Sequence, residues 1–185
     1  MKKTVLTFGL ISGAVSSVLM LSTVPFLDRI GFDKAAIVGY TGMVLSFLLV
    51  FFGIRSYREN VGDGQITFGR ALSVGLLIML ISCACYVVTW QIVYFNLMPD
   101  FFDTYTSYIV EQLRASGASQ QVIDAKMKEM ETIKVWYDKP LFNAAVTFLE
   151  PLPIGLPISL ISAALLRRRK PKSREQLVGE PMPSS

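Results

Sequence analysis

The sequence predicts an all-α, polytopic membrane protein: four transmembrane helices with an outer amphipathic helical hairpin between spans 3 and 4. Three observations carry this. Only 17% of the 185 residues are charged while 52% are apolar, against about 25% charged in soluble domains. Four runs reach the ~20 apolar residues that a helix needs to cross a hydrocarbon core. The basic residues gather in segments that an even number of crossings puts on one side.

The first span, Thr4 to Phe26, has 23 residues without a charge. It exceeds the 7–15 apolar residues of a cleaved signal peptide and no A-x-A-like site follows, so a retained helix is expected. Gly9, Gly13 and Ser17 recur every fourth residue, with Ser12 and Ser16 beside them. Such small residues let helices approach closely in lipid. They fit packing within the chain or pairing of two copies. A short connection follows, where Arg29 and Lys34 are balanced by Asp28 and Asp33.

The second span, Ala35 to Ile54, is uncharged over 20 residues and continues the small-residue theme at Gly42 and Ser46. The next connection reads GIRSYRENVGDGQITFGRAL, Gly53 to Leu72. Gly62-Asp63-Gly64 signals a tight turn. The glycines do not form a phosphate loop, because no Gly-Lys-Ser/Thr follows and no strand precedes. Thr67 is positioned to cap the third helix, with Phe68 dipping back toward the interface. The third span, Ala71 to Leu97, is uncharged over 27 residues, with Ala71 and Gly75 as small positions. Its Cys83 and Cys85, two apart on a helix, are poorly placed to bond each other and form no metal-ligand pattern.

The loop 98–140 is too long to lack structure of its own. Tyr105, Tyr108, Ile109 and Leu113 fall at helical positions before Gly117; Ile123, Met127, Met130 and Ile133 repeat after Ser119, a candidate N-cap. The pattern predicts two amphipathic helices turning near Gly117 and lying over the bundle or along the lipid surface. Trp90, Tyr94, Trp136 and Tyr137 are expected at the outer membrane–water boundary.

The fourth span, Leu141 to Leu166, carries one charge, Glu150, followed by prolines at 151, 153 and 157. Gly155, Ser159 and Ala163 supply its small stripe. Nine residues at 1.5 Å each put Glu150 about 14 Å below Leu141, near mid-membrane. Pro151 and Pro153 remove two amide donors and should kink the helix. A carboxyl group beside a broken helix is one way transporters build a midplane cation or proton site. No intramembrane Lys or Arg exists to pair with it. The expected polar site is Glu150 with Ser16, Ser17, Thr89 and Gln91; Thr41, Ser46 and Tyr86 lie at similar depth. The alternative is a thin bilayer or a helix starting nearer Thr147, with Glu150 solvated near the outer interface and the Glu150-Pro151 pair a turn feeding a shorter helix from Leu152 to Leu166.

Eleven basic residues lie at Lys2 and Lys3, at Arg55, Arg58 and Arg70, and from Arg167 to Arg174; the loop 98–140 has five basic against seven acidic residues. Both termini are therefore expected on the cytoplasmic side of the cytoplasmic (inner) membrane. Residues 1–170 form one membrane domain, and 171–185 a flexible tail. Arg55, Arg58, Arg167, Arg168, Arg169 and Lys170 are expected against anionic lipid, worth about 1 kcal/mol per charge, rather than nucleic acid.

Histidine is absent, and no nucleophile has a visible base, so catalytic residues, cofactors and metals are not expected and the chain does not read as an enzyme. Two readings remain. One is a non-catalytic structural, scaffold or accessory membrane component presenting its outer loop and basic tail to partners. The other is a small oligomeric permease or proton-coupled carrier using Glu150. The bilayer is the expected partner; a second copy or other membrane proteins stay open.

GIRSYREN, then ITFGRAL, a span ending in Met98-Pro99, and PIGLPISLISAALLRR together resemble the bacterial family catalogued as domain of unknown function 4199. The resemblance covers roughly residues 4 to 170. It implies a small four-span membrane protein of a group seen mostly in Bacteroidota, and supplies no active residues to carry over. The prolines at 151, 153 and 157 are more than that family's final span leads one to expect.

Overall fold

The computed structural model describes residues 1–168, so the expectations for Arg169, Lys170 and the tail 171–185 lie outside the described residues. Within them the chain is helical: α1 (Lys2–Thr23), a 3-10 turn (Val24–Phe26), α2 (Leu27–Asn60), α3 (Phe68–Ile92), a π-helical turn (Val93–Leu97), α4 (Phe101–Ala115), α5 (Gln120–Tyr137), α6 (Pro140–Leu149) and α7 (Leu152–Leu166). Four stretches, Lys2–Phe26, Arg29–Asn60, Phe68–Leu97 and Pro140–Leu166, are long and apolar enough to cross a membrane. Each buries well under half of its most apolar window inside the protein. Leu6, Val18, Ile37, Val88, Ile161 and Leu165 face outward, as lipid-solvated helices should, since the bilayer is as apolar as leucine.

Two boundaries differ from the sequence expectation. The connection expected between spans 1 and 2 is not a loop. Pro25 falls in the 3-10 turn, and α2 begins at once with a single turn before Gly31 (φ 76°, ψ 161°) redirects the chain. That left-handed backbone is cheap only for glycine, so Gly31 turns the corner without a loop. The fourth span, expected first as one kinked helix over 141–166, is two helices, with the bounds of the alternative in which a Glu150-Pro151 turn feeds a helix from Leu152 to Leu166. Pro151 and Pro153 lack the N–H groups that would bond the carbonyls of Thr147 and Leu149, and α7 restarts at Leu152. Glu150 occupies the junction.

The punctuation elsewhere follows the sequence. The Thr67 hydroxyl accepts from the Arg70 amide at 3.4 Å and starts α3. Asp63 and Gly64 adopt positive φ in the turn between α2 and α3, and Gly117 (φ 78°) separates α4 from α5. Ser119 stands at the N-cap of α5, yet its hydroxyl makes no cap bond; its carbonyl instead accepts from Val122 and Ile123.

α3 is the centre of the bundle, packed against α1, α2, α6 and α7. The small stripes face these neighbours. A Cβ on Gly9 would meet Ile81, one on Gly13 would meet Cys85, and one on Gly155 would meet Met79. The Gly9–Gly13 face is thus taken by α3 of the same chain, which leaves it no room for a second copy. Ser159 packs near Gly75 and is fully buried. A polar knot crosses the same core. The Ser46 hydroxyl donates to the Ser12 carbonyl at 2.6 Å, and the Ser12 hydroxyl lies 2.9 Å from the Ser46 carbonyl and 3.0 Å from Ser82 Oγ.

The apolar core occupies only the half of the bundle nearer the described termini. Val50, Ile54, Val74, Ile78 and Ala163 are fully buried there. Toward the α4–α5 end, α1 has no buried residue after Ser16, and α2 has none from Arg29 to Thr41. Ala36 through Thr41 are all exposed, more than a full turn, so every face of α2 is at least partly open there. The upper half is splayed open.

Candidate functional site

Four elements frame that opening: the second half of α1, the splayed part of α2, the upper half of α3 and the α6–α7 junction. It encloses a chamber of about 440 Å³. Its floor is Ser16 on α1, Gly42 and Met43 on α2, Tyr86 on α3 and Glu150. Its roof is aromatic. Phe101 and Tyr105 of α4 pack on Phe32 at 5.8 and 5.2 Å between ring centroids, and Trp90 meets the edge of Phe101 at 5.0 Å. Tyr40 and Tyr137 complete the walls.

The α4–α5 pair lies over the bundle as a cap because its apolar face has this aromatic surface to cover. Phe102, Met130 and Tyr94 form the cap's own small core. Tyr108 donates to Asp33 at 2.5 Å, tying α4 to the start of α2. Lys134 pairs with Asp103 at 2.5 Å across the two cap helices. Tyr94 donates to Asp138 at 2.5 Å, and the Trp90 indole donates to Tyr137 at 3.1 Å. These rings cluster where the cap meets the bundle; Trp136 instead projects outward, with the Lys139 ammonium 3.9 Å above its ring.

Glu150 reaches the chamber because the proline break ends α6 there. Tyr86 donates to its Oε2 at 3.2 Å. Tyr86 lies eleven residues before the end of the third apolar stretch at Leu97, which is about 16 Å at 1.5 Å per residue. It also lies one helical turn from Trp90 on the same helix. Glu150 is the one charged side chain lining the chamber among the described residues. Burial pushes the pKa of the Tyr137 hydroxyl upward.

The five residues expected to form the polar site divide into three places. Ser16 shares the chamber with Glu150, although its hydroxyl donates to the Gly13 carbonyl at 2.9 Å. Thr89 donates to Ser17 at 2.7 Å, a bond that holds α1 to α3 outside the chamber. Gln91 donates to Asn143 at 2.9 Å and to the Pro140 carbonyl at 3.3 Å, fastening α6 to α3. Spacing along a helix gives depth but not facing, and α3 is apolar nearly all round, so these three destinations had no distinct signal in the sequence. The aromatic lining at Phe32, Tyr40, Phe101 and Tyr105 was missed for the same reason. Thr41 is exposed.

The basic residues also divide. Arg55 is exposed and pairs with Glu59 at 2.9 Å. Arg58 turns inward: its side chain is only 13% exposed, and it donates to Glu59 at 3.2 Å and to the Leu166 carbonyl at 3.4 Å. It clasps the end of α7 rather than displaying its charge outward. Arg167 and Arg168 are exposed, and the Arg168 backbone pairs with Ile66 in an isolated antiparallel bridge.

A family model described as "Protein of unknown function (DUF4199)" matches residues 7–168. No curated protein and no solved structure matches the chain.

Proposed function

Since the chain belongs to the DUF4199 family of proteins of unknown function, its role is argued from the chamber, and we propose that it is a small non-enzymatic carrier in which Glu150 exchanges a proton with solute. The observation that carries this is the position of Glu150, at the floor of a chamber and beside a broken helix. Irregular backbone at membrane depth is tolerated where it lines a cavity. An intramembrane carboxyl group without a basic partner marks an ion or proton path by default. The other titratable groups lining the chamber are Tyr86 on α3, Tyr40 on α2, Tyr105 on α4 and Tyr137 on α5, while the polar residues that α1 brings are Ser16 and Thr23. The orientation that goes with this reading puts both termini in the cytoplasm of a cell whose inner membrane holds the protein, with the cap outside, on the distribution of basic residues.

The test is reconstitution with an imposed pH gradient and an internal pH dye. Cationic, neutral and anionic solutes of matched size are added in turn. Collapse of the gradient triggered by one solute in wild type and absent in Glu150→Gln supports the carrier. No solute-triggered proton movement from folded wild-type protein, across the whole panel, rejects it.

A scaffold role is the second reading. It is favoured by the exposed apolar residues Val122, Met127, Val135 and Trp136 on α5, which would meet either a partner or the lipid surface. Partners that co-purify with the intact chain and are lost on deleting 103–133 would support it.

A further inference from the structure

We propose that the chamber binds an organic monocation with an aromatic or apolar body; this rests on the carrier reading and names its cargo. The charge argument comes first. Among the described residues, the lining offers one carboxyl group and no basic side chain. Tyr86 is the single donor that Glu150 meets, at its Oε2, which leaves Oε1 without a protein donor among the described residues. An anion would meet like charge at the floor, and a neutral solute would leave the carboxylate with the Tyr86 hydroxyl alone, whereas a cation supplies its counter-charge.

The walls argue the same way. Tyr40, Trp90, Phe101, Tyr105 and Tyr137 line the space above Glu150. Aromatic faces attract cations, and a desolvated cluster of rings is a recognised receptor for organic ammonium groups. A bare metal ion is disfavoured, because hard cations collect six or more oxygen ligands and the lining has a single carboxylate with scattered hydroxyls. The volume of about 440 Å³ suits a small drug-sized molecule. Access fits too. In this reading the cation enters along the exposed stretch 36–41, of which Ala36, Gly39 and Tyr40 line the chamber, from the lipid phase into which an apolar cation partitions.

The experiment uses the full chain in nanodiscs, with Trp136→Phe leaving Trp90 as the sole tryptophan. Ethidium is the cationic probe and 1-anilinonaphthalene-8-sulfonate the anionic one, each compared with empty discs. Saturable quenching of Trp90 by ethidium is expected, weakened about tenfold or more by Glu150→Gln and largely retained by Glu150→Asp. Tyr40→Leu, which changes a half-exposed ring outside the core, should weaken binding roughly threefold and keeps the test valid if Glu150→Gln misfolds. The sulfonate should show no saturable binding. Equal affinity of ethidium for wild type and both variants, equal binding of the sulfonate, or no saturable quenching overturns the assignment. The two readings fail separately. A neutral or anionic solute that moves protons while ethidium does not bind ends the cargo assignment alone. Ethidium bound through Glu150 without proton movement ends the carrier reading alone.

Discussion

Tyr86 and Glu150 are joined by a hydrogen bond of 3.2 Å that links the middle of α3 to the break between α6 and α7. The bond holds the carboxyl group of a junction that lacks the two amide donors replaced by Pro151 and Pro153. Tyr86→Phe keeps the ring and removes the donor. It should lower resistance to denaturation in SDS by about 1 kcal/mol and weaken cation binding less than Glu150→Gln does. A Tyr86→Phe variant with wild-type SDS stability would mean that the bond contributes nothing to holding the junction.

Close helix contact predicts a graded glycine series. A Cβ on Gly13 would sit 2.5 Å from Cys85 Cβ, a contact with the base of a side chain that cannot swing away. Gly13→Ala should cost about 1–3 kcal/mol through overpacking. Gly155→Ala should cost less, because the two nearest atoms it meets belong to the flexible Met79, with Phe47 Cε2 farther off at 3.2 Å. Gly69 has nothing within 4 Å, so Gly69→Ala, early in α3, should be neutral or stabilising by up to about 1 kcal/mol. Reversible SDS unfolding monitored by circular dichroism ranks the three, and any other order contradicts the packing.

The serine knot predicts coupling. Ser12→Ala and Ser46→Ala should each cost about 0.6 kcal/mol, and up to ~1.7 kcal/mol, the range of interhelical hydrogen bonds in membranes. The double variant should cost less than their sum, because the two hydroxyls serve each other's backbone carbonyls. Strict additivity in a double-mutant cycle would show that they act independently.

The cap should loosen in alkali. The hydrogen bond to Asp33 holds the Tyr108 hydroxyl above its usual range, and the bond to Asp103 does the same for the Lys134 ammonium. Both folded pKa values are raised, so these contributions are complete below the unfolded values of about 10 and are lost as pH climbs through the folded ones. Hydrogen exchange in α4 and α5 should accelerate above roughly pH 10 while α3 stays protected. Tyr108→Phe and Lys134→Met together should flatten that dependence. Both groups are largely exposed, so each effect is small and shrinks in high salt.

The four crossings, the cap of two helices, the Thr67 and Gly117 boundaries and the isolated acid at 150 were legible in the chain. Each rests on a local rule. Lipid cannot satisfy a backbone amide, so an uncharged run of more than twenty residues has helix as its one economical state; proline and glycine act on their own φ and on the amide that proline lacks. The first loop was misread because Gly31 turns the chain within one residue, which composition does not distinguish from a connection.

What the tertiary structure alone decided is which faces meet. Helices that are apolar all round carry no stripe saying where their partners lie, so nothing in the chain marked the upper half of α2 as standing clear of the bundle. The destinations of Ser17, Thr89 and Gln91, the inward turn of Arg58 and the placing of Tyr86 opposite Glu150 arose together from close backbone approach at Gly9, Gly13 and Gly155. Small-residue contacts of this kind act at short range between segments distant in sequence, and only the assembled bundle brings them together.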